Sequence, residues 1–345
     1  MSGVRTIAVG PDEGDQRLDR WLRRRFPQLA QGRIERMCRK GEIRVDGGRA
    51  KASTRLGVGQ AVRVPPLPDA QAPAPAPRPP QVTERDAEAI RACVLYRDDD
   101  VLALNKPPGL AVQGGSGQGD RHLDALADAL RFDAPEAPRL VHRLDKDTSG
   151  VLLMGRSRMA AAALTRAFRA RETRKIYWAA VAGVPQPRMG TLRWGLVKSG
   201  EAERVRAVHP DRVDATPGAK RAVTDYAVLD ALGTRAAWVA LVPVTGRTHQ
   251  LRAHMAELGH PIAGDGKYGG SAAENRGDGW GASLGGGLSR KLHLHARSLR
   301  LRHPRSGAAL HLTAPLPEHM ARTWEAVGWR AADVPEDPFA EVADG

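Results

Sequence analysis

Between Val141 and Gly150 the chain crowds an arginine, a lysine, two carboxylates and two hydroxyls into one short stretch: Val141-His142-Arg143-Leu144-Asp145-Lys146-Asp147-Thr148-Ser149-Gly150. The stretch follows a Pro-broken loop, Asp133 to Pro138, and precedes an apolar run, Val151-Leu152-Leu153-Met154. Ordinary packing needs no such crowd between two apolar segments. Asp147, Thr148, Ser149 and Gly150 are good turn residues, and the Thr-Ser-Gly half reads as a turn. A turn does not account for Arg143 and Asp145. In an extended chain these two share a face while Leu144 anchors the other. An aspartate held beside cations stays a carboxylate, fit to act as nucleophile or base.

A second stretch, Thr245-Gly246-Arg247-Thr248-His249-Gln250-Leu251-Arg252-Ala253-His254-Met255, ends a strand and opens a helix, with Leu251, Met255 and Leu258 at core spacing. Arg252 and His249 then project near the helix start, where anionic groups are favoured. His249 and His254 are metal ligands by type alone. No Glu-x-x-His or cysteine partner accompanies them, so no metal site is expected. Between the two stretches, Lys175-Ile176-Tyr177-Trp178-Ala179-Ala180-Val181 reads as a strand with Tyr177 and Ala179 on one face. By type alone Tyr177 is a core tyrosine with a satisfied hydroxyl.

The chain that must position these residues has 345 of them, enough for two domains. Its hydrophobic content of 41% supports a core, and its charged content of 27% is ordinary. The balance is not: 53 Lys and Arg against 39 Asp and Glu give +14. A chain this basic usually meets a polyanion, nucleic acid first and a membrane surface second. The two cysteines, Cys38 and Cys93, lie far apart without Cys-x-x-Cys spacing, which fits a reducing cytoplasm. Met1 to Gly14 contains no apolar run of the secretory kind. No stretch approaches the roughly 18 apolar residues of a membrane span.

Residues 15–64 read as a small basic unit. Leu18, Trp21, Leu22 and Phe26 recur at helical spacing with Arg17, Arg20, Arg23, Arg24 and Arg25 around them. A second helix places Ile34, Met37 and Cys38 inward and Arg33, Arg36, Arg39 and Lys40 outward, with Gly41 ending it. Ile43 and Val45 alternate with Glu42, Arg44 and Asp46, and Asp46-Gly47 reads as a hairpin turn. From Met1 to Val64, 15 Lys and Arg less 7 Asp and Glu leave +8. Any one arginine suits a solvated face, but two successive cationic helices favour a phosphate-contacting surface, with Arg20, Arg24, Arg36, Arg39, Lys40 and Arg44 as its candidates. Residues 65–81 are a Pro-rich linker, as in Pro73-Ala74-Pro75-Ala76-Pro77. The second domain is expected over 88–330. It opens with a buried strand, Val101 to Lys106, that Leu110 to Val112 continues. Gly114-Gly115-Ser116-Gly117 is a loop, too weak a signal for a phosphate cradle. Gly200 to Lys220 reads as polar and irregular, and Gly269 to Arg290 as a Gly-rich surface loop. Lys291 to Arg297 reads as a strand, and 331–345 as a frayed acidic tail.

The stretch His142-Arg143-Leu144-Asp145-Lys146-Asp147-Thr148-Ser149-Gly150 resembles the catalytic-aspartate signature of the RluA-type pseudouridine synthases. The basic unit resembles an S4 RNA-binding domain through Arg17-Leu18-Asp19, Arg39 to Asp46 and the Gly57-Val58-Gly59-Gln60 turn. The resemblance covers nearly the whole chain. It implies an α+β architecture: a small S4-like RNA-binding domain followed by a pseudouridine synthase domain with a mixed, largely antiparallel sheet and a central cleft. It implies Asp145 as nucleophile or base, Tyr177 packed on the target base, and Arg252 paired with Asp145. Arg143 would fill the gap left by an extruded uridine, and Arg247 and His249 would contact phosphate or support the motif. The isomerisation needs no cofactor. The S4 domain, Val112 to Gly117 and Ser199-Gly200-Glu201 resemble the RluC-like subgroup, which implies large-subunit (23S) ribosomal RNA as partner, although Gln113 stands where that subgroup would have histidine. The expected protein is a cytoplasmic monomer that contacts no membrane. Two other readings remain open here: a non-catalytic RNA-binding ribosome-assembly factor, and a hydrolase using Asp145 and Asp147 as a carboxylate pair, which the cationic surroundings disfavour.

Overall fold

The computed structural model describes residues 3–67, 82–114, 122–199, 204–270 and 289–340. Most of the Pro-rich linker, Gly115 to Gly117, Gly200-Glu201, the middle of the Gly-rich loop and the last five residues lie outside them. The chain divides into two compact units, Met1–Pro79 and Pro80–Gly345.

In the first unit, strand β1 (Arg5–Ala8) precedes helices α1 (Leu18–Arg25) and α2 (Gln31–Lys40). The hairpin β2 (Arg44–Val45) and β3 (Gly48–Arg49) follows, then β4 (Ala61–Val64). The four strands form one antiparallel sheet in the order β1-β4-β2-β3. β1 thus adds a strand ahead of the expected 15–64 span. The helical spacing holds: Leu18, Trp21, Leu22, Ile34, Met37 and Cys38 are buried in one core with Phe26, Ile43, Val62 and Val64. Asp46 and Gly47 both take positive φ, 48° and 75°, as a tight hairpin turn requires.

The second unit opens with α3 (Glu84–Arg91), β5 (Val94–Arg97), β6 (Val101–Lys106), α4 (Leu123–Leu126), β7 (Arg139–Leu140), β8 (Ser149–Gly155) and α5 (Arg158–Ala170). Then come β9 (Arg174–Ala182), β10 (Met189–Leu192), β11 (Gly195–Lys198), β12 (Val205–Val208), β13 (Lys220–Arg221), β14 (Thr224–Leu232) and β15 (Ala236–Pro243). It closes with α6 (Gln250–Glu257), β16 (Leu294–Arg302), β17 (Ala309–Thr313) and α7 (Glu318–Val327). A ten-stranded sheet runs β10-β14-β15-β9-β16-β8-β6-β5, with β17 on β16 and β7 on β8. Its pairings are antiparallel except β16 with β8, so the sheet is mixed and largely antiparallel, as expected. The span read as irregular instead supplies β12 and β13, which flank β11 in a separate three-stranded sheet.

The parallel junction lies near the middle of this sheet. His295 lies opposite Ser149, and Ala296 opposite Gly150. On its other side Ala296 faces Tyr177, and Tyr177 in turn faces Leu241. The residues leading into β8 and the tyrosine of β9 are thus separated by one strand. Ser149 and Gly150 belong to β8, which corrects the turn reading. The turn lies one step earlier, at Lys146-Asp147, with the Thr148 amide donating to the Asp145 carbonyl at 3.2 Å. Gly150 has φ +109°, and a Cβ there would sit 2.2 Å from the Ala296 carbonyl oxygen. Close approach of the two backbones, as well as its dihedral, demands glycine.

Two further expectations are corrected. Leu110 to Val112 does not continue β6; Ala111 only bridges to His122. The described part of the acidic tail is docked. Val334 and Phe339 pack on the cluster of Trp178, Trp238, Trp324 and Trp329. Asp337 accepts two hydrogen bonds from Arg174, at 3.1 and 2.9 Å, and Glu336 meets Arg300 and His311. Basic partners distant in sequence hold the segment down.

Candidate active site

The loop before β8 is built as its alternation suggests. Leu144 is buried in the core beneath α4, Arg143 is exposed, and the Asp145 side chain is 20% exposed. Arg143 and Asp145 line one cavity of about 310 Å³ with Tyr177, Thr245, Arg247, His249 and Arg252. The catalytic candidates from both motifs and the intervening strand therefore meet in one place. Asp145 lies 4.0 Å from His249 Nε2, and its charge acts on both Tyr177 and Arg252. Burial, with that charge added, pushes the Tyr177 phenol well above its ordinary pKa, so it stays protonated.

The second motif is held by Gln250. Its Oε1 accepts from the Thr245 hydroxyl at 2.6 Å and the Arg247 amide at 3.1 Å. Its Nε2 donates to the Val223 carbonyl and the Thr224 hydroxyl. This side chain pins the loop to the start of β14, leaving Arg247 exposed at the rim with its Nε donating to the Arg221 carbonyl. His249 precedes α6 at φ +50°, with Nδ1 2.8 Å from the Tyr268 hydroxyl.

Arg252 differs most from expectation. Its Nε and Nη2 donate to the two carboxylate oxygens of Asp265, each at 2.7 Å, and its guanidinium lies 5.2 Å from the Tyr268 ring centroid. The bidentate partner is Asp265, not Asp145. Asp145 is near enough for its charge to raise the Arg252 pKa, a rise that burial opposes first and Asp265 supports most. Asp265 also accepts from the Lys267 and Tyr268 amides, so it fixes the guanidinium from behind. Neither Asp265 nor Tyr268 falls within the two motifs, and nothing in the local pattern marks them.

Lys106 was also unforeseen. It is fully buried, and its Nζ donates to the carbonyls of Pro107, Leu110 and Lys146, each at 2.9 Å. The last bond ties β6 to the turn that follows Asp145. Burial pushes this amine down to about 7, against the opposing charges of Asp147 and Asp145. A folded pKa below the unfolded value near 10.4 means that the unfolded chain binds more protons between those limits. Stability from this group should therefore rise as pH goes from about 7 towards 10, by up to about 1.4 kcal/mol per pH unit. Denaturant titrations of the parent and Lys106→Met check it. The stability gap in favour of the parent should widen with pH; a gap constant from pH 7 to 10 contradicts it.

In the first unit Arg20, Arg24, Arg36, Arg39, Lys40 and Arg44 are all exposed. Arg44 also donates to the Gly41 and Gly47 carbonyls, bracing its own hairpin. Lys40 is 3.9 Å from Glu42, a loose surface pair. Among the described residues no cluster of three or more His, Cys, Asp or Glu could hold a metal ion. His254 is buried in α6 with neither ring nitrogen bonded, and burial pushes it down to about 4. His293 and His295 are bonded in the core to Thr323 and Ser149. No described helix is long and apolar enough to cross a membrane.

Residues 100–257 match the family described as RNA pseudouridylate synthase, and residues 16–62 match the S4 domain. A curated relative from Vibrio cholerae serotype O1, ribosomal large subunit pseudouridine synthase C, is 36% identical over 93% of this chain and 97% of its own length. The Escherichia coli (strain K12) protein of the same name is 37% identical over 92% of this chain and 95% of its own. Among solved structures, human RNA pseudouridylate synthase domain containing 4 aligns with TM-score 0.57 and 30% identity, covering 70% of this chain and 95% of that one. Human RNA pseudouridylate synthase domain containing 1 gives 0.50 and 26%, covering 70% and 96%.

Proposed function

This chain belongs to the RNA pseudouridylate synthase family, and from that premise we propose that it converts uridines of large-subunit ribosomal RNA to pseudouridine, with Asp145 as nucleophile or base. The observation that carries the reading is the meeting of Asp145, Tyr177, His249 and Arg252 in one cavity with cations at its rim. A uridine in folded RNA must leave its stack before its glycosidic bond can be reached. Arg143, exposed at the rim, fills the gap and holds phosphate with its planar fork. The N-glycosidic bond then breaks, the uracil turns, and a carbon of the ring rejoins the sugar. Asp145 attacks, or takes the proton that starts the exchange. Tyr177 packs on the base and, being protonated, can lend its proton. Arg252 keeps Asp145 ionised through its charge, while Asp265 fixes where that charge sits. Arg247 and His249 contact the backbone beside the target or brace the motif. The reaction is an isomerisation without redox or hydrolytic step, so it calls for no cofactor. The working form is read as a monomer. The free thiols Cys38 and Cys93 suit a reducing cytoplasm.

The exposed cations of the first unit are read as an RNA-docking surface. Deleting Met1 to Val64 removes +8 of charge, from 15 Lys and Arg less 7 Asp and Glu, and spares every proposed catalytic residue. The truncated chain should bind ribosomal RNA more weakly, with a salt slope flatter by roughly 0.7 to 0.9 for each phosphate that it no longer neutralises. Activity should partly return at low salt and high enzyme concentration. Titration of both proteins across a salt series decides; equal affinities and slopes contradict the docking role. An assay for released uracil tests the reaction class. A synthase frees none while pseudouridine accumulates, whereas a hydrolase frees it and a bare binding factor changes nothing.

A further inference from the structure

Two hydrogen-bond donors in the cavity wall, both packed on Phe168, have no acceptor among the described residues. The first is His142. Its Nε2 accepts from the Leu153 amide at 2.8 Å, so the neutral ring carries its proton on Nδ1. Burial, with the charge of Lys175 added, pushes this imidazole down to about 3, and the ring stays neutral. It stacks on Phe168 at 4.2 Å between centroids and 23° between planes, which fixes its orientation. Among the described residues Nδ1 makes no hydrogen bond, and the half-buried ring lines the Asp145 cavity.

The second donor is Lys175, two residues before Tyr177 on β9. Residues so spaced share a face of the strand. The Lys175 ammonium lies 5.8 Å from the Phe168 ring centroid. Among the described residues it forms no ion pair or hydrogen bond, and the charge that acts on it is that of Arg171, not a carboxylate. A half-buried cation facing another cation is costly unless an anion completes it. His142, Phe168, Lys175 and Arg143 all line the cavity that holds Asp145 and Tyr177.

We propose that Lys175 and the Nδ1–H of His142 form a phosphate subsite that grips one backbone phosphodiester beside the uridine entering the Asp145 cavity. The proposal rests on the RNA-modifying function argued above and adds a subsite to it. The two donors offer the charge and hydrogen-bond pattern that a phosphate accepts. The place of Lys175 on the same face of β9 as Tyr177 puts the phosphate about two residues, roughly 7 Å, from the base site. Phe168 acts through packing, as a positioning residue for both donors.

The test uses full-length protein and a synthetic RNA stem-loop spanning a uridine that the protein modifies. One uncharged methylphosphonate replaces each flanking phosphate in turn. Lys175 is the residue to vary, because removing His142 would also strip the Leu153 amide of its acceptor. For the parent, one linkage should raise KM roughly tenfold, the scale of one charged hydrogen bond. Lys175→Gln should raise KM by a similar factor on unmodified RNA and be indifferent to that linkage, with kcat within about twofold. Lys175→Arg should keep the linkage penalty, and Lys175→Met serves if the amide variant fails to fold. A penalty that persists unchanged in Lys175→Gln overturns the subsite, as does a fall in kcat at constant KM. A parent protein that forms no pseudouridine on any ribosomal RNA would overturn the functional reading first, and the subsite with it.

Discussion

Asp145→Asn should abolish pseudouridine formation, by at least roughly 10⁴-fold, the scale at which enzymes lose turnover when a nucleophile is removed. The substitution keeps the shape of the side chain. Leu144 remains anchored in the core, and the Asp145 carbonyl still accepts from the Thr148 amide, so the loop has no reason to move. What disappears is the charge acting on Tyr177 and Arg252, and the oxygen able to attack or take a proton. RNA affinity should change by no more than a few fold, because it comes mostly from phosphate contacts elsewhere. Single-turnover assays with excess enzyme separate the two effects. Turnover by a preparation shown free of deamidation back to aspartate would remove Asp145 from the chemistry.

The second large effect belongs to Arg252 and Asp265. Arg252→Ala leaves the Asp265 carboxylate, 1% exposed, with only the Lys267 and Tyr268 amides. Breaking one side of a buried ion pair costs about 3 to 5 kcal/mol. The variant should therefore melt early as well as turn over poorly. Arg252→Lys keeps the charge and loses the two-point fork, so it should recover part of both. The informative variant combines Arg252→Met with Asp265→Asn. No buried charge is then stranded, and most of the stability should return. Activity should not, because Asp145 has lost the guanidinium on which its charge acts. If the double variant regained activity with stability, Arg252 would be a structural residue with no electrostatic part in the reaction. Thermal melts and initial rates on the same preparations decide.

The sequence carried the local geometry of this site well and its long-range geometry poorly. Period-two alternation put Leu144 in the core and Arg143 with Asp145 at the cavity, and it put Tyr177 and Ala179 in one cluster. The Asp46-Gly47 turn and both helices of the first unit followed from side-chain chemistry within a few residues. Asp265 could not be read as the partner of Arg252, because a loop must bring it back onto α6 and no spacing rule describes that return. Gly150 read as a turn residue because close approach of β16, more than a hundred residues later, leaves no local mark. The tail read as frayed from its acidity; its partners Arg174, Arg300 and His311 lie on β9, β16 and β17. Lys106 looked like the polar end of a strand, and only the fold reveals the three carbonyls gathered round it.

The central claim is that this chain isomerises uridines in large-subunit ribosomal RNA through Asp145. Its most direct test is a pseudouridine map of that RNA from cells with the chain, without it, and with only the Asp145→Asn form. A defined set of pseudouridines should disappear without the chain, return with the parent protein and stay absent with Asp145→Asn. A map unchanged by loss of the chain, or restored by Asp145→Asn, would contradict it.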